Sequence, residues 1–378
     1  MSFKDILNEM DADSKARMGR KVPEWGGVEG LCFPTRLSME QCSSSATARY
    51  KAELVSWIFT GCTDTAGVPR LRCSNPSSLR CGNASPVAHP PQSSKPVICD
   101  LTGGLGVDCW AFSRMACHVH HNEMSKELSA AVQANFSALG ITNASFSSIE
   151  IIPGKVADVI AACGMNPDII FLDPARRSGT GKKVFLLEDC SPDILTLKDE
   201  LLGAAPDILV KLSPMADITM VCRRLGRNVR EVHVVESDGE CKELLVWLQR
   251  GWDGDFTVVY KDLLFTPAEE GAAVPSLLDD TDELSAQGFL FEPSSSLLKA
   301  GCFNLICGRF AMRKLGRFTH LYSSESCPEP LKNYGKLFRI LKVLPFDGKT
   351  VKALEKEYPR CEVTARNLPI SSDELRKR

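Results

Sequence analysis

From Val97 onward the chain alternates short apolar runs with amphipathic stretches, and no other feature narrows its fold so far. The runs are PVICDL, CHVHHNE, SSIEII, DIIFLDP, DILVKLSP, EVHVVES and ELLVWLQ. Between them lie stretches such as SKELSAAVQANFSALG, where Leu128, Ala131, Val132 and Leu139 recur near helical spacing and Gly140 marks the stop. Alternating βα units predict an α/β fold, a doubly wound and mostly parallel sheet with helices on both faces. Only a few residues around DGEC separate the last two runs. A parallel crossover needs a dozen or more, so these two close as an antiparallel hairpin. Ligands in such sheets bind beyond the carboxyl ends of the strands.

The flanks read differently. The first sixty residues are mostly helical, and Ser38 followed by Gln41 in LSMEQ is a capping-box pattern opening a helix through SSATARYKAELVSWIF. Residues 62–96 are rich in Ser, Pro, Gly and Asn without periodicity, the composition of a loop. After Trp252, FTVVYKDLLF and GFLFEPSS read as strands around the acidic DDTDEL, and SLLKAGCFNLICGRFAMRKLG as a helix. THLYSS and LFRILKVLPF are strand-like, GKTVKALEKEYP is a helix and CEVTARNLP a strand. The chain thus divides into a helical segment (1–60), a loop (61–96), an α/β domain (97–252) and an α+β module (253–378).

Sixteen cysteines include no CxxC pair, and the six histidines do not follow zinc-ligand spacing, so no metal is expected. Cys99, Cys222, Cys302 and Cys307 lie in apolar runs, where a thiol is a small hydrophobe. The charged start MSFKDILNEMDADSK has no signal core, and no run of about 18 apolar residues could span a membrane. A reduced, cytoplasmic setting follows, with no membrane partner. The net charge of −2 is uneven: Arg309 to Arg378 hold 16 Lys+Arg against 8 Asp+Glu. That basic end suits a polyanion such as RNA. Oligomeric state is left open.

The first run leads into VICDLTGGLGVDCW, residues 97–110. A dinucleotide turn wants G-x-G-x-x-G, and Gly103-Gly104-Leu105-Gly106 does not fit. A P-loop fails too, since SGTGKK at 178–183 lacks the first glycine and the hydroxyl. The pattern that fits is D-x-[GT]-x-G-x-G, read as Asp100, Thr102, Gly104 and Gly106. There small residues let backbone pass against the methionine and ribose of S-adenosylmethionine, and a carboxylate suits its cationic end. Glu123 ends the second run about 20 residues on, where an acid can hold ribose hydroxyls. Asp173 opens DPARR at the end of the fourth run. A plain βα turn would account for the glycines alone; the three features together select a methyl-donor site.

At this point EQCSSSATARYKA (40–52), DLTGGLGVD (100–108), DPARR (173–177), KLSPM (211–215) and ECKELL (240–245) matter jointly. They resemble the class I S-adenosylmethionine-dependent methyltransferases with a C-terminal THUMP-like domain, over nearly the whole chain except 62–96. The resemblance implies a Rossmann-like domain with a mostly parallel seven-stranded sheet, a helical N-terminal segment and a C-terminal α+β THUMP-like or ferredoxin-like module. It implies S-adenosylmethionine as cofactor, held by Asp100, Thr102, Gly103, Gly104, Gly106, Asp108 and Glu123. It also implies an RNA substrate, with the C-terminal module binding or positioning it. Two features depart from the pattern. Lys155 in IIPGKVAD stands where many class I enzymes carry an acid for adenine, with Asp158 a weak substitute. The chain also stops at SSDELRKR, where the resemblance leads one to expect further strand-forming sequence.

Methyl transfer from a sulfonium needs mainly alignment, because the donor is already activated. In amino-directed enzymes a [DN]-P-P-[YFW] loop accepts hydrogen bonds from an exocyclic NH2 and stacks the base on a ring. Asp173 and the Pro174 carbonyl could supply the acceptors, but Ala175 stands where the second proline would be and no aromatic follows. Arg176 and Arg177 can stack on a base, grip phosphate, or merely pair with carboxylates. Carbon methylation would need a cysteine nucleophile, for which Cys241 and Cys190 are the nearest candidates. Lys211, Ser213 and Pro214, with Glu240 and Lys242, are substrate contacts or else an ion pair and a turn. Gln41, Ser43, Arg49 and Lys51 cap a helix, close the donor pocket or touch RNA. The reading is an S-adenosylmethionine-dependent enzyme methylating a base nitrogen in RNA. Its rivals are an inactive RNA-binding protein with the donor fold, and a methyltransferase acting on protein or a small molecule.

Overall fold

The computed structural model describes residues 13–61, 95–176, 186–278, 284, 288–366 and 369–377. The chain forms two compact units, Met1–Leu264 and Phe265–Arg378. The first begins with a helix over 13–21 (α1), then α2 (Arg36–Gln41) and α3 (Ser45–Thr60). The predicted single helix through this region is broken at Cys42. Thr35, not Ser38, caps α2, its hydroxyl accepting from Ser38 N at 3.1 Å, and Ser44 starts α3 afresh. Two short-side-chain hydroxyls, Thr35 and Ser44, each satisfy the orphan amides of a new helix start, so the chain turns between them.

The α/β alternation then runs β1 (Val97–Asp100), α4 (Val107–Ser113), β2 (His118–Asn122), α5 (Lys126–Ala138), β3 (Ala144–Ser147), α6 (Val156–Cys163) and β4 (Ile169–Leu172). After a two-stranded ribbon of β5 (Ala175–Arg176) and β6 (Cys190–Ser191) come α7 (Ile194–Ala204), β7 (Asp207–Leu212), α8 (Ile218–Leu225), β8 (Val229–Ser237) and β9 (Glu240–Gln249). β10 (Thr257–Tyr260) and β11 (Leu263–Phe265) follow. The sheet order is β11-β10-β8-β9-β7-β4-β1-β2-β3. Within it β3, β2, β1, β4 and β7 pair in parallel, and β9 is antiparallel to both β7 and β8, as the short hairpin link requires.

Two strands differ from the sequence expectation. The expected seven-stranded sheet has nine, because FTVVYKDLLF, assigned to the C-terminal module, adds β10 and β11 to its edge, β10 parallel to β8. Val258, Val259 and Tyr260 are buried there, and extending an existing sheet is the cheapest way to bury so short a run. The third strand is Ala144–Ser147 rather than SSIEII. The Asn122 side chain accepts from Ile149 N at 3.0 Å and donates to Ile149 O at 2.8 Å. It takes up the backbone groups that a longer strand would have offered to the ladder.

α3 is built into this unit. Ala48, Leu54, Val55 and Ile58 are buried, and Trp57 meets Trp247 of β9 edge to face at 5.2 Å. The helix ends where Gly61 turns left-handed at φ 58°.

The second unit holds α9 (Pro267–Ala272), β12 (Phe289–Pro293), α10 (Ser295–Ala300), α11 (Leu305–Arg309), β13 (Arg313–Gly316), β14 (Thr319–Ser324), β15 (Gly335–Arg339), α12 (Gly348–Glu357) and α13 (Ser372–Arg376). Its four-stranded sheet has the order β13-β14-β12-β15, with antiparallel pairing throughout. The helix predicted through SLLKAGCFNLICGRFAMRKLG is instead two short helices and a strand. Gly301, left-handed at φ 84°, closes α10, and the Glu270 carboxylate accepts from the amides of Phe303, Asn304 and Leu305 that open α11. Of LFRILKVLPF only the first three residues, 337–339, lie in a strand (β15), and 361–366 of CEVTARNLP do not. Leu341, Leu344 and Phe346 are exposed, so that run lacks the buried face a strand would need.

Candidate active site

The glycine turn sits where β1 ends and α4 begins. Each glycine is there for a different reason. A Cβ on Gly103 would stand 2.2 Å from the His121 ring, and one on Gly106, at φ 80°, 2.6 Å from Val132. Gly104 is left-handed at φ 53°, and a Cβ there would meet only Thr102 O at 3.9 Å, so backbone is presented with little cover at that point. His121 donates from Nε2 to Gly104 O at 3.2 Å, and Gly103 N donates to Asn122 O at 2.7 Å, so β2 supports the turn from beneath. Burial pushes the His121 imidazole down to about 4, which keeps it neutral at physiological pH.

Asp100 lies under the turn, 1% exposed, with its Oδ1 accepting from Thr102 N at 3.0 Å. Burial, then the neighbouring Asp108 carboxylate, push its pKa well above the ordinary value near 3.8. Glu123, which ends the second apolar run in the sequence, directly follows β2. Its carboxylate accepts from Gly104 N at 3.1 Å and Ser125 N at 2.9 Å, which brings an acid to the rim of the turn. On the other side Thr102 Oγ1 accepts from Asp173 N at 2.6 Å. The glycine turn is therefore bonded directly to both predicted partners, the second-strand acid and the fourth-strand DP.

Behind the turn runs a chain of alternating charges. Asp108, in the first turn of α4, accepts from Ser43 Oγ at 2.8 Å and lies 3.0 Å from Lys51 Nζ. Lys51 donates to Ser43 at 2.8 Å and to Glu243 Oε1 at 2.8 Å, and its side chain is fully buried. Glu243 Oε2 lies 3.9 Å from Lys211 Nζ, which is 2.5 Å from Asp173 Oδ2. Burial disfavours the Lys211 ammonium, but Asp173, Glu243 and Asp108 outweigh it and hold its pKa above the ordinary lysine value. The five charges come from five places in the fold: α4, α3, β9, β7 and the residue just after β4.

The other predicted residues scatter. Gln41 is exposed, and Arg49 is 65% exposed with Glu24 3.9 Å away. Glu240 and Lys242 pair with each other at 2.7 Å on the exposed end of the hairpin. Ser213 accepts from Met215 N in a turn and Pro214 is half-buried beside it. Lys155 and Asp158 are half-exposed and pair at 2.6 Å, so neither is held for an adenine. Pro174 is buried, whereas Arg177 and the Arg176 side chain lie outside the described residues. Cys190 is buried in β6, and Cys241 lies near the hairpin turn with Glu240 and Lys242. Among the described residues no cluster of metal-ligating side chains occurs, and no helix is long and apolar enough to cross a membrane.

Sequence reasoning missed Glu243 while naming its neighbours Glu240 and Lys242. The available signal was a carboxylate at the start of the apolar run LLVWLQ, which a strand buried on both faces tolerates only when paired. It also missed Tyr50, whose hydroxyl lies 2.9 Å from His233 Nδ1, with Glu231 2.9 Å beyond Nε2.

Comparison with known proteins agrees with this architecture. Residues 289–330 match a ferredoxin-like domain family, and residues 335–378 a THUMP domain-like family. No curated protein sequence matches the chain. Among solved structures, a candidate methyltransferase from Porphyromonas gingivalis W83 is similar at 28% identity and a TM-score of 0.76, covering 97% of this chain and 81% of that one. An rRNA methylase from Streptococcus thermophilus aligns over 42% of this chain and 88% of its own, at 13% identity and a TM-score of 0.31. The chain thus combines a class I, Rossmann-like methyltransferase fold with a C-terminal THUMP-like domain.

Proposed function

We propose that this protein transfers a methyl group from S-adenosylmethionine to a base nitrogen of RNA. One observation carries the reading: the glycine turn, Glu123 and Asp173 are joined by direct hydrogen bonds at the carboxyl edge of the parallel strands. The residues fit the donor. Sparsely covered backbone at Gly104 leaves room for it, Glu123 offers a carboxylate to ribose hydroxyls, and the buried Asp100 braces the turn. When bound, the donor supplies an electrophilic methyl carbon on a sulfonium. The chain's own residues have to align an acceptor and accept its proton, and Asp173, 36% exposed at its side chain, is the carboxylate positioned for both. The basic C-terminal residues and the THUMP-like match support RNA as the substrate.

Calorimetry with S-adenosylhomocysteine should give binding that Asp100→Ala weakens; unchanged binding in that variant removes the donor assignment. Labelled methyl should then pass from the donor to total RNA. Donor and RNA binding with no transfer would favour an inactive RNA-binding protein instead. Transfer to protein and not to RNA would move the substrate class.

A further inference from the structure

The alternating charges Asp108, Lys51, Glu243, Lys211 and Asp173 end at their most exposed member, Asp173. Asp173 is 36% exposed at its side chain, Lys211 14%, and the other three 10% or less. β4 and β7 are adjacent and parallel, with Leu172 opposite Val210, which puts Asp173 and Lys211 side by side just past that register. A cationic donor and an anionic acceptor thus stand side by side past the carboxyl ends of two parallel strands, 2.5 Å apart, with Glu243 3.9 Å from the lysine on its other side.

We propose that Lys211 and Asp173 together read the lactam edge of a base, an N–H beside a carbonyl as in guanine and uracil, and that this nitrogen is the methyl acceptor. The inference rests on the RNA-methylation reading above. The amidine edge of adenine or cytosine also pairs a donor with an acceptor, so geometry alone does not choose. Charge does. A lactam nitrogen must shed its proton to become nucleophilic, and the partial negative charge spreads onto the neighbouring oxygen, where an ammonium stabilises it. An exocyclic amine becomes cationic as it is methylated, and an ammonium on the conjugated ring nitrogen opposes that. The carboxylates of Asp173, Glu243 and Asp108 favour the charged form of Lys211 before the proton moves, and Glu243 and Asp108 still face it once Asp173 is protonated.

The step balances as follows. The N–H proton passes to the Asp173 carboxylate while Lys211 donates to the carbonyl oxygen. The ring nitrogen forms the new N–C bond as the methyl–sulfur bond of the sulfonium breaks, its electron pair staying on sulfur. The products are a neutral N-methyl lactam, a neutral thioether and one proton, which leaves the partly exposed Asp173 for solvent.

The test incubates the full chain with labelled donor and total RNA from cells lacking the protein, then identifies the labelled nucleoside by mass spectrometry. Label on N1 of guanosine or N3 of uridine supports the proposal. Label on an exocyclic amine, a carbon or a ribose oxygen overturns it while leaving RNA methylation standing. No label in RNA, with S-adenosylhomocysteine still bound in calorimetry, overturns the RNA reading and the proposal with it. Lys211→Met should lower kcat/KM about 100-fold near neutral pH and make the rate climb with pH as the base ionises unaided. Lys211→Arg should restore most of it. Should Lys211→Met fail to bind S-adenosylhomocysteine, Asp173→Asn carries the same expected loss with the side chain's size kept. A wild-type rate and pH profile in either variant that binds overturns the proposal.

Discussion

At the scale of single residues, the site is governed by what each side chain has been denied. Asp100 is denied water, so its carboxyl favours the neutral form and its folded pKa is raised. A raised carboxyl contributes stability below its unfolded pKa and loses it as pH rises through the folded one. Asp100→Asn, which mimics the neutral form, should therefore melt higher than the parent at pH 8. That gap should close as pH falls toward 4, while binding of S-adenosylhomocysteine weakens. Scanning calorimetry across that range reads both; an Asn variant less stable than the parent at pH 8 would contradict the buried-carboxyl account. Gly103 is denied a Cβ by His121. Gly103→Ala should cost about 1–3 kcal/mol by overpacking, and adding His121→Ala should recover much of it in urea titrations. Independent, additive losses would show that the two do not collide.

At the scale of elements, helices and strands that are distant in sequence are riveted by a few polar contacts. Thr102 ties the turn after β1 to the residue after β4, so Thr102→Val leaves the Asp173 amide without its acceptor. A cost of about 1–3 kcal/mol is expected for such an orphaned donor, with weaker binding of S-adenosylhomocysteine. Lys51 ties α3 to both α4 and β9 from a fully buried position. Removing one member of a buried ion network leaves uncompensated charge, at about 3–5 kcal/mol. Lys51→Met should therefore shift the urea midpoint strongly, whereas Arg17→Ala, which breaks an exposed pair with Asp13, should barely move it. Equal effects would mean that Lys51 is no more than a surface cation.

At the scale of the whole molecule, the two units differ in chemistry. The donor-side residues all belong to Met1–Leu264, and the basic surplus lies within the other unit, confined to residues 309–378. Lys336 and Arg339 on β15 and Lys352 on α12 are exposed. Reversing all three to Glu in the full chain should weaken RNA binding without changing affinity for S-adenosylhomocysteine. The slope of log affinity against log salt should flatten by about 0.7 for each lost phosphate contact on single-stranded RNA. An unchanged slope would place the RNA contacts elsewhere in the chain.

The division between what was readable in the chain and what was not follows the range of the forces involved. Local signals were readable: the αβ rhythm, the Asp100–Gly106 turn, Glu123 and Asp173 depend on burial pattern, glycine conformation and position along a strand. Asp108, Ser43, Lys51 and Lys211 were named as individuals, but nothing in their spacing said that they form one charge network. Glu243 went unnamed because its identity as a site residue depends on strand register, where its neighbours Glu240 and Lys242 pair off on the exposed end of the hairpin. The edge strands β10 and β11 were misassigned for a similar reason, since a run of four apolar residues does not declare which sheet it joins. The sequence by itself determined that a methyl-donor fold forms around a glycine turn. Only the tertiary structure decided which charges share it, because 135 residues separate Asp108 from Glu243 and only the packing of α3 against α4 and β9 places Lys51 between them.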